Sequence, residues 1–130
     1  MDEIPRRLPA LLRAEKIQKK AAKVGFDWDD VGGAFDKTEE ELKEVTEAFE
    51  NKQGHERLEE EVGDLLFAAV NISRFLGVDP EEALNAASRK FMNRFSYVEE
   101  TAKDQGRRLE DMTLAEMDVL WNEAKQKNIK

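Results

Sequence analysis

The sequence contains no cysteine, one histidine (His55), three prolines and no apolar run near the roughly 20 residues that a membrane span needs. Without cysteine the chain has no disulfide, no thiolate metal site and no cysteine nucleophile. A single histidine excludes a multi-histidine zinc site within one chain. The N-terminus also lacks the apolar core of a signal peptide. We therefore expect a protein of a reducing compartment, most simply the cytoplasm, with no membrane partner.

Basic residues are in the minority: 21 Lys and Arg stand against 29 Asp and Glu, so the formal net charge is −8. Sequence-independent binding of nucleic acid requires a broad basic footprint. Attachment to an anionic lipid surface requires a polybasic segment. The charge balance argues against both kinds of partner.

No segment alternates apolar and polar residues for long enough to predict a strand, whereas Ala, Glu, Lys and Leu are abundant. A length of 130 residues is typical of one domain, predicted here to span residues 1–130. Capping signals at Asp79–Glu82 and Thr113–Glu116 mark two helix starts. We predict an all-α helical bundle with five helices, at about 8–24, 34–52, 56–76, 80–104 and from 114 onward.

The third predicted helix contains an apolar run, Leu65–Ile72, that is hydrophobic around nearly its whole circumference. Such a helix is normally enclosed on several sides. Five short helices of one chain can hardly surround it, whereas a bundle shared by two chains can. We therefore predict that homodimerisation, or a higher closed assembly, completes the helical bundle.

Two acidic pairs are each spaced three residues apart, Glu41 with Glu44 on the second predicted helix and Glu61 with Asp64 on the third. This spacing puts each pair on one helix face, so two helices packed as a hairpin can direct all four carboxylates into one gap. Cations would offset their repulsion and lost hydration, and all-oxygen ligands suit Mg²⁺ or Mn²⁺. Asn71 falls roughly on the same face of the third helix, where it can orient a ligand or a water molecule.

Structural explanations compete with this metal hypothesis. Thr38 with Glu41 matches a capping box, and Glu59–Glu61 match first-turn acids that complement a helix dipole. The glutamates of the second helix also match an ordinary solvated face, and this set includes the two proposed ligands: Glu39, Glu40, Glu41, Glu44, Glu47 and Glu50. Spacing alone leaves the metal hypothesis and these structural explanations open.

Two further pairs lie on the last two predicted helices. Lys90 and Arg94 share a face at the border of an apolar stripe, where they can clamp phosphates or lie over apolar surface with their heads in water. Trp121 and Lys125 repeat this spacing. Trp121 can stack on a base, although a tryptophan in a helical stripe is more often part of the core.

The order of these motifs resembles the MazG family of nucleoside triphosphate pyrophosphohydrolases, within the all-α nucleotide pyrophosphohydrolase superfamily. The family signature, a Glu-x-x-Glu pair followed by a Glu-x-x-Asp pair, is matched here at 41–44 and 61–64. The chain is most similar to the second domain of tandem MazG proteins. The similar flanking segments lie within Leu8–Ala22, at Val24–Trp28, at Lys90–Phe91 and Arg94–Phe95, and at Trp121 with Lys125.

The resemblance implies a helical bundle dimer with active sites near the shared interface. It also implies a reaction in which a nucleoside triphosphate and water give the monophosphate and pyrophosphate, with Mg²⁺ as cofactor. The implied site residues are Glu41, Glu44, Glu61 and Asp64 as metal ligands, Lys90, Arg94 and more weakly Lys125 as phosphate contacts, and Trp121 near the nucleotide.

Attack by water is favoured over a covalent intermediate, because the sequence offers no cysteine and no plausible Ser/His/Asp set. A carboxylate then accepts the proton of the water. We expect Glu41 or the neighbouring Glu40 in this role, and spacing does not choose between them. Two other functions stay open: a narrower dUTPase-like or dCTPase-like pyrophosphohydrolase, and a helical interaction module without turnover.

Overall fold

A computed structural model describes all residues, 1–130, and contains helices but no strand. This confirms the all-α prediction. The α-helices are α1 (Ala10–Lys23), α2 (Val31–Glu50), α3 (His55–Phe75), α4 (Pro80–Asp104) and α5 (Leu114–Gln126), and a short 3₁₀ helix, Leu109–Asp111, precedes α5.

The capping residues explain where the helices begin. Thr113 and Glu116 form the predicted capping box at the start of α5, with backbone N–H groups donating in both directions at 3.1 Å. The predicted start of the second helix, at about residue 34, is wrong by three residues. The carboxylate of Asp30 accepts the N–H of Gly32 at 2.8 Å, and this cap extends α2 over two glycines that have low helix propensity.

Backbone contacts divide the chain into two compact units, residues 1–81 and 82–130. In the first unit α2 packs along α3, and α1 packs against α3. The carboxylate of Glu81 accepts the N–H groups of Leu11 and Leu12 at 3.0 and 3.2 Å, which satisfies free amides at the start of α1. The buried apolar residues of this unit are mostly small: Ile4, Ala34, Ala48, Ala68 and Val70.

The second unit consists of most of α4, the 3₁₀ helix and α5. Its core is a cluster of buried apolar side chains, against which larger side chains pack. The phenol of Tyr97 on α4 donates to the Glu123 carboxylate on α5 at 3.0 Å. The core residues are Val98, Ala102, Met112 and Leu120, with Phe95, Leu109, Met117 and Trp121 packed against them. The expectation of one domain spanning residues 1–130 stays a prediction.

The apolar run on α3 is not enclosed within one chain. Ala68 and Val70 are buried, but Leu66 and Phe67 are 55% and 41% exposed. On α4 the predicted apolar stripe is likewise buried only toward its C-terminal end, since Leu84 and Phe91 are exposed. These exposed side chains are apolar surface that a second chain would cover. Homodimerisation itself stays a prediction. None of the helices combines the length and the apolar character required to cross a membrane.

Candidate functional site

The helices α2 and α3 bring carboxylates from both predicted acidic pairs together. Oxygen atoms of Glu41, Glu61 and Asp64 all lie within 4.8 Å of one another. Glu41 and Glu61 are buried, at 5% and 2% exposure, whereas Asp64 is open to solvent. Glu44 is not among these converging oxygens, but it lies close enough to Glu61 and Glu41 for both to influence its pKa. One member of the α2 pair and both members of the α3 pair therefore meet where these two helices pack together.

We call Glu41, Glu61 and Asp64 the acidic cluster. Its carboxylates and that of Glu44 influence the pKa values of one another. The hydrogen bond that protonated Glu44 can donate to the Glu61 carboxylate, followed by the charge of Glu41, raises the pKa of Glu44 above its ordinary value. Loss of hydration, followed by the charges of Glu41 and Glu61, raises the pKa of Asp64. Neighbouring negative charge contributes to both shifts, as expected where carboxylates lie close together.

Each buried carboxylate of the cluster is paired with a basic residue one helical turn before it. Lys37 Nζ lies 3.1 Å from Glu41 Oε1, and Arg57 Nη2 lies 2.6 Å from Glu61 Oε1. The hydrogen bond to Glu41 raises the pKa of Lys37, which keeps it cationic. Lys37 and Arg57 were not predicted as site residues, although each lies four residues before its glutamate, a spacing at which side chains on a helix meet.

The second oxygen of each buried carboxylate has no hydrogen-bond partner. Glu41 Oε2 and Glu61 Oε2 are both buried and unsatisfied. Leaving such atoms unpaired costs about 1–3 kcal/mol or more each for charged groups. Carboxylate oxygens that converge on one point are the ligands that a hard divalent cation prefers. The residues present thus fit a Mg²⁺ or Mn²⁺ ion.

The structure rules out two of the structural explanations for the acidic pairs. The hydroxyl of Thr38 donates to the Ala34 carbonyl at 2.9 Å in the middle of α2, so it forms no capping box with Glu41. Because α3 begins at His55 and carries Glu56 in its first turn, Glu59–Glu61 lie beyond the first turn. The third explanation, a solvated face, holds for exposed neighbours of Glu41 such as Glu40.

The two other residues predicted near the cluster differ in environment. Glu40 is exposed, and its Oε1 lies 3.4 Å from Lys37 Nζ. Asn71 lines the same cavity as Glu41 and Asp64, as its predicted position on the helix face requires. Its Oδ1 accepts from Arg74 Nε and Nη2 at 3.2 and 2.8 Å. Asn71 therefore holds a protein side chain as well as lining the cavity.

The acidic cluster opens into a cavity of about 830 Å³ within the first unit. Three aromatic side chains and several polar ones line it in addition to the carboxylates. The lining residues include Phe26, Trp28 and Phe67, the polar Gln18, Asp27, Lys37, Asn71 and Arg74, and the acidic Glu41 and Asp64. One wall is the loop between α1 and α2.

Side-chain contacts hold this loop against α3 and α2. Arg74 on α3 donates from Nη1 and Nη2 to the two oxygens of Asp27, at 2.9 and 2.5 Å. This pairing lowers the pKa of Asp27. Trp28 lies directly on Gly33 of α2, where an added Cβ would meet the indole ring at 2.9 Å. Neither contact was predicted from the sequence, because the first joins positions far apart in the chain and the second depends on how the loop folds.

The basic and aromatic residues predicted on the last two helices lie in the second unit. Arg94 Nε donates to the Ile129 carbonyl at 2.8 Å, and its guanidinium lies 5.9 Å from the centre of the Trp121 ring. Trp121 packs against the core and lies 5.1 Å from the Phe91 ring. Lys90 and Lys125 are exposed. Trp121 therefore packs against the core, as expected of a tryptophan in a helical stripe. The phosphate contacts of Lys90, Arg94 and Lys125 stay predictions.

Comparison with known families identifies one match that covers the acidic cluster. Residues 34–98 match the model of the MazG nucleotide pyrophosphohydrolase domain. This stretch contains both acidic pairs together with Lys90 and Arg94. The match therefore rests on the same helices that form the candidate metal site.

Individual relatives are similar over most of the chain. A nucleoside triphosphate pyrophosphohydrolase/pyrophosphatase MazG of Thermotoga maritima is 50% identical over 123 residues, covering 95% of this chain and 47% of its own length. A nucleoside triphosphate pyrophosphohydrolase of Escherichia coli K12 is 46% identical over 130 residues, covering 99% and 49%. Bacillus subtilis YabN, whose name states no function, is 52% identical over 126 residues, covering 97% and 26%. The chain spans about half the length of the first two relatives.

Proposed function

Because the chain belongs to the family of MazG nucleotide pyrophosphohydrolase domains, we propose that it hydrolyses nucleoside triphosphates to the monophosphate and pyrophosphate. The observation that carries the proposal is the acidic cluster, in which Glu41 and Glu61 are buried with unpaired oxygens beside Asp64. A structural role would leave such oxygens paired or in water. Their arrangement supports the binding of a cation.

We propose that Glu41, Glu44, Glu61 and Asp64 hold Mg²⁺, with Mn²⁺ as a substitute. A divalent cation bound there would neutralise the carboxylates, attract phosphate oxygens and make a nearby water more acidic. The cation would also weaken the ion pairs of Lys37 with Glu41 and of Arg57 with Glu61. The side chains of Lys37 and Arg57 would then be available to the phosphates of the substrate.

The chemical step needs a proton acceptor. The oxygen of water forms a bond to the α-phosphorus, the bond from that phosphorus to the bridging oxygen breaks, and pyrophosphate leaves with the electron pair. A carboxylate takes the proton of the water. Of the two candidates, Glu40 is favoured over Glu41, because Glu40 is exposed and lies outside the set of proposed metal ligands.

Phosphate contacts are the second part of the proposal. A triphosphate carries about four negative charges and would be repelled by a chain of net charge −8 without compensating cations. Lys90, Arg94 and Lys125 are proposed to contact phosphates, with Trp121 near the nucleotide. The contact between Arg94 and the Trp121 ring supports their acting together.

The assembly and the setting belong to the proposal as well. Exposed apolar side chains on α2, α3 and α4, among them Leu42, Leu66 and Phe91, favour a homodimer that covers them. The cytoplasm is the proposed location, because a cysteine-free hydrolase of nucleoside triphosphates belongs where these substrates are made.

Release of pyrophosphate from a panel of nucleoside triphosphates, with Mg²⁺ and with EDTA, tests the proposal. We expect Mg²⁺-dependent release that Glu61→Gln and Asp64→Asn both abolish while the circular dichroism spectrum stays helical. Hydrolysis of dUTP or dCTP alone would favour the narrower enzyme. Absence of release from every nucleotide would favour the interaction module, and full activity of either variant would refute the metal assignment.

A further inference from the structure

The turn that follows α5, residues 127–130, is hydrogen-bonded to Arg94 on α4. We propose that this turn positions the Arg94 guanidinium for a phosphate group, through the carbonyl of Ile129 and the left-handed backbone of Asn128. The inference rests on the proposed function, because it assumes that Arg94 contacts the phosphates of the substrate. It adds residues beyond the last helix to the proposed site, and their role is to position Arg94 without touching the substrate.

The backbone of the turn reverses at one residue. Asn128 has a φ of 58°, in the left-handed region that few residues other than glycine adopt. Its N–H donates to the Lys125 carbonyl at 3.0 Å, and the N–H of Ile129 donates to the Ala124 carbonyl at 3.1 Å. These two hydrogen bonds form the Schellman motif that ends many helices. The conformation of Asn128 therefore determines where the carbonyl of Ile129 lies.

Two neighbouring residues of α4 bond to this turn. Arg94 Nε donates to the Ile129 carbonyl at 2.8 Å, and Asn93 Nδ2 donates to the Lys130 carbonyl at 2.7 Å. All four residues belong to the second compact unit. The turn is thus held against the same stretch of α4 that carries the proposed phosphate contact.

The remaining donors of Arg94 are free. Nε is used by the Ile129 carbonyl, and the guanidinium lies 5.9 Å from the centre of the Trp121 ring, which itself packs against the core. Nη1 and Nη2 have no hydrogen-bond or ion-pair partner in the chain. Two parallel N–H groups at the end of a guanidinium match the oxygens of a phosphate. The turn therefore fixes the side chain and leaves its phosphate-binding edge open.

The chemistry of the acceptor supports a positioning role. Arg74 is held by the Asp27 carboxylate, which neutralises its charge. Arg94 is held by a backbone carbonyl, which is uncharged and leaves the positive charge available to an anion. A long side chain that is already ordered also loses less conformational freedom when a ligand binds. Both effects favour phosphate binding at Arg94.

The test changes the turn without changing Arg94. The Asn128 side chain is exposed, so substitutions there act mainly through the backbone. Valine is strongly disfavoured in the left-handed region, whereas glycine adopts it readily. Asn128→Val should raise KM for nucleoside triphosphates about twofold to tenfold, the cost of ordering one long side chain on binding, with kcat retained. Asn128→Gly is the matched variant and should keep the KM of the wild type.

A second variant and a spectroscopic signal accompany this comparison. Asn93→Ala removes only the hydrogen bond to the Lys130 carbonyl and should raise KM by a smaller factor. In an NMR spectrum the Nε–H signal of Arg94, assigned with Arg94→Lys, should be protected from exchange with water in the wild type and Asn128→Gly. It should lose this protection in Asn128→Val.

A purely structural turn gives a different result. It would lower the melting temperature of Asn128→Val and leave KM unchanged. An unchanged KM in both Asn128→Val and Asn93→Ala would overturn the proposal, whether or not the Nε–H signal is retained. A fall in kcat with unchanged KM would also contradict a positioning role.

A binding experiment separates failure of this inference from failure of the proposed function. Calorimetry with inorganic tripolyphosphate and Mg²⁺ should show weaker binding to Asn128→Val than to Asn128→Gly. Arg94→Ala should abolish this difference, because the turn acts through Arg94. This pattern without pyrophosphate release from any nucleotide would refute the hydrolase and retain the positioning role. Pyrophosphate release with equal KM and equal tripolyphosphate affinity in the two Asn128 variants would refute the positioning role alone.

Discussion

Glu41 on α2 and Glu61 on α3 approach each other with carboxylate oxygens within 4.8 Å, and each keeps one buried oxygen unpaired. Their other oxygens are held by Lys37 and Arg57 of their own helices. Two buried carboxylates so close together are unfavourable unless something positive lies between them. We therefore expect a cation that binds between them to stabilise the first unit.

Neutralising Glu61 should uncouple stability from Mg²⁺. We expect Mg²⁺ to raise the melting temperature of the wild type, with a stabilisation of about 2.7 kcal/mol at a concentration 100 times Kd. Glu61→Gln should lose this response, because it removes a ligand and part of the repulsion. Thermal unfolding followed by circular dichroism, with Mg²⁺ and with EDTA, measures the effect. Glu59→Gln, an exposed position on the same helix, is the control and should respond like the wild type.

The raised pKa of Asp64 predicts how the metal-free protein responds to pH. Because the folded pKa lies above the ordinary value of 3.8, the stabilising contribution is complete below that value. It is lost as pH rises through the folded pKa. Urea unfolding in EDTA should therefore show that Asp64→Asn gains stability over the wild type as pH rises from about 4 to 7. A difference that shrinks with rising pH would contradict this account.

Asp27 predicts a dependence of opposite sign. Its pKa is lowered by the pair with Arg74, so its contribution is present above 3.8 and is lost as pH falls through the folded pKa. Asp27→Asn should cost roughly 1 kcal/mol at neutral pH, in the range of a well-formed ion pair near the surface. Below the folded pKa the variant and the wild type should unfold at the same urea concentration. Equal stability at neutral pH would show that the pair contributes nothing.

Two glycines inside helices should respond oppositely to alanine. An added Cβ at Gly33 would meet three atoms of Trp28 at 2.9–3.1 Å, whereas at Gly63 it would meet nothing within 4 Å. Both substitutions gain about 1 kcal/mol of helix propensity. Gly63→Ala should therefore raise the melting temperature, while Gly33→Ala should lower it by displacing the ring. A stabilised Gly33→Ala would mean that Trp28 moves aside freely.

Local chemistry made much of this structure predictable. The capping box of Thr113 and Glu116 fixed the start of α5, and the i,i+3 spacing placed the acidic pairs on facing sides of α2 and α3. These features depend on residues within one helical turn of each other. The start of α2 was harder, because glycine has low helix propensity and the cap at Asp30 outweighs it.

The contacts that hold the α1–α2 loop in place were not predictable in this way. Arg74 meets Asp27 across 47 positions of the chain, and the fit of Trp28 on Gly33 depends on how the loop folds back on α2. Such contacts are set by packing and leave no periodic pattern in the sequence. The phosphate contacts of Lys90, Arg94 and Lys125 stay predictions.

A substitution at Glu40 should separate the loss of the chemical step from the loss of metal binding. If it accepts the proton of the attacking water, Glu40→Gln should lower kcat about 100-fold or more, the usual contribution of a positioned base. Because Glu40 lies outside the cluster of converging oxygens, the variant should keep the Mg²⁺-dependent rise in melting temperature. Glu39→Gln, also exposed on α2, should keep both. A variant at position 40 with normal kcat would transfer the role to Glu41, whose loss must then abolish turnover and the Mg²⁺ response together.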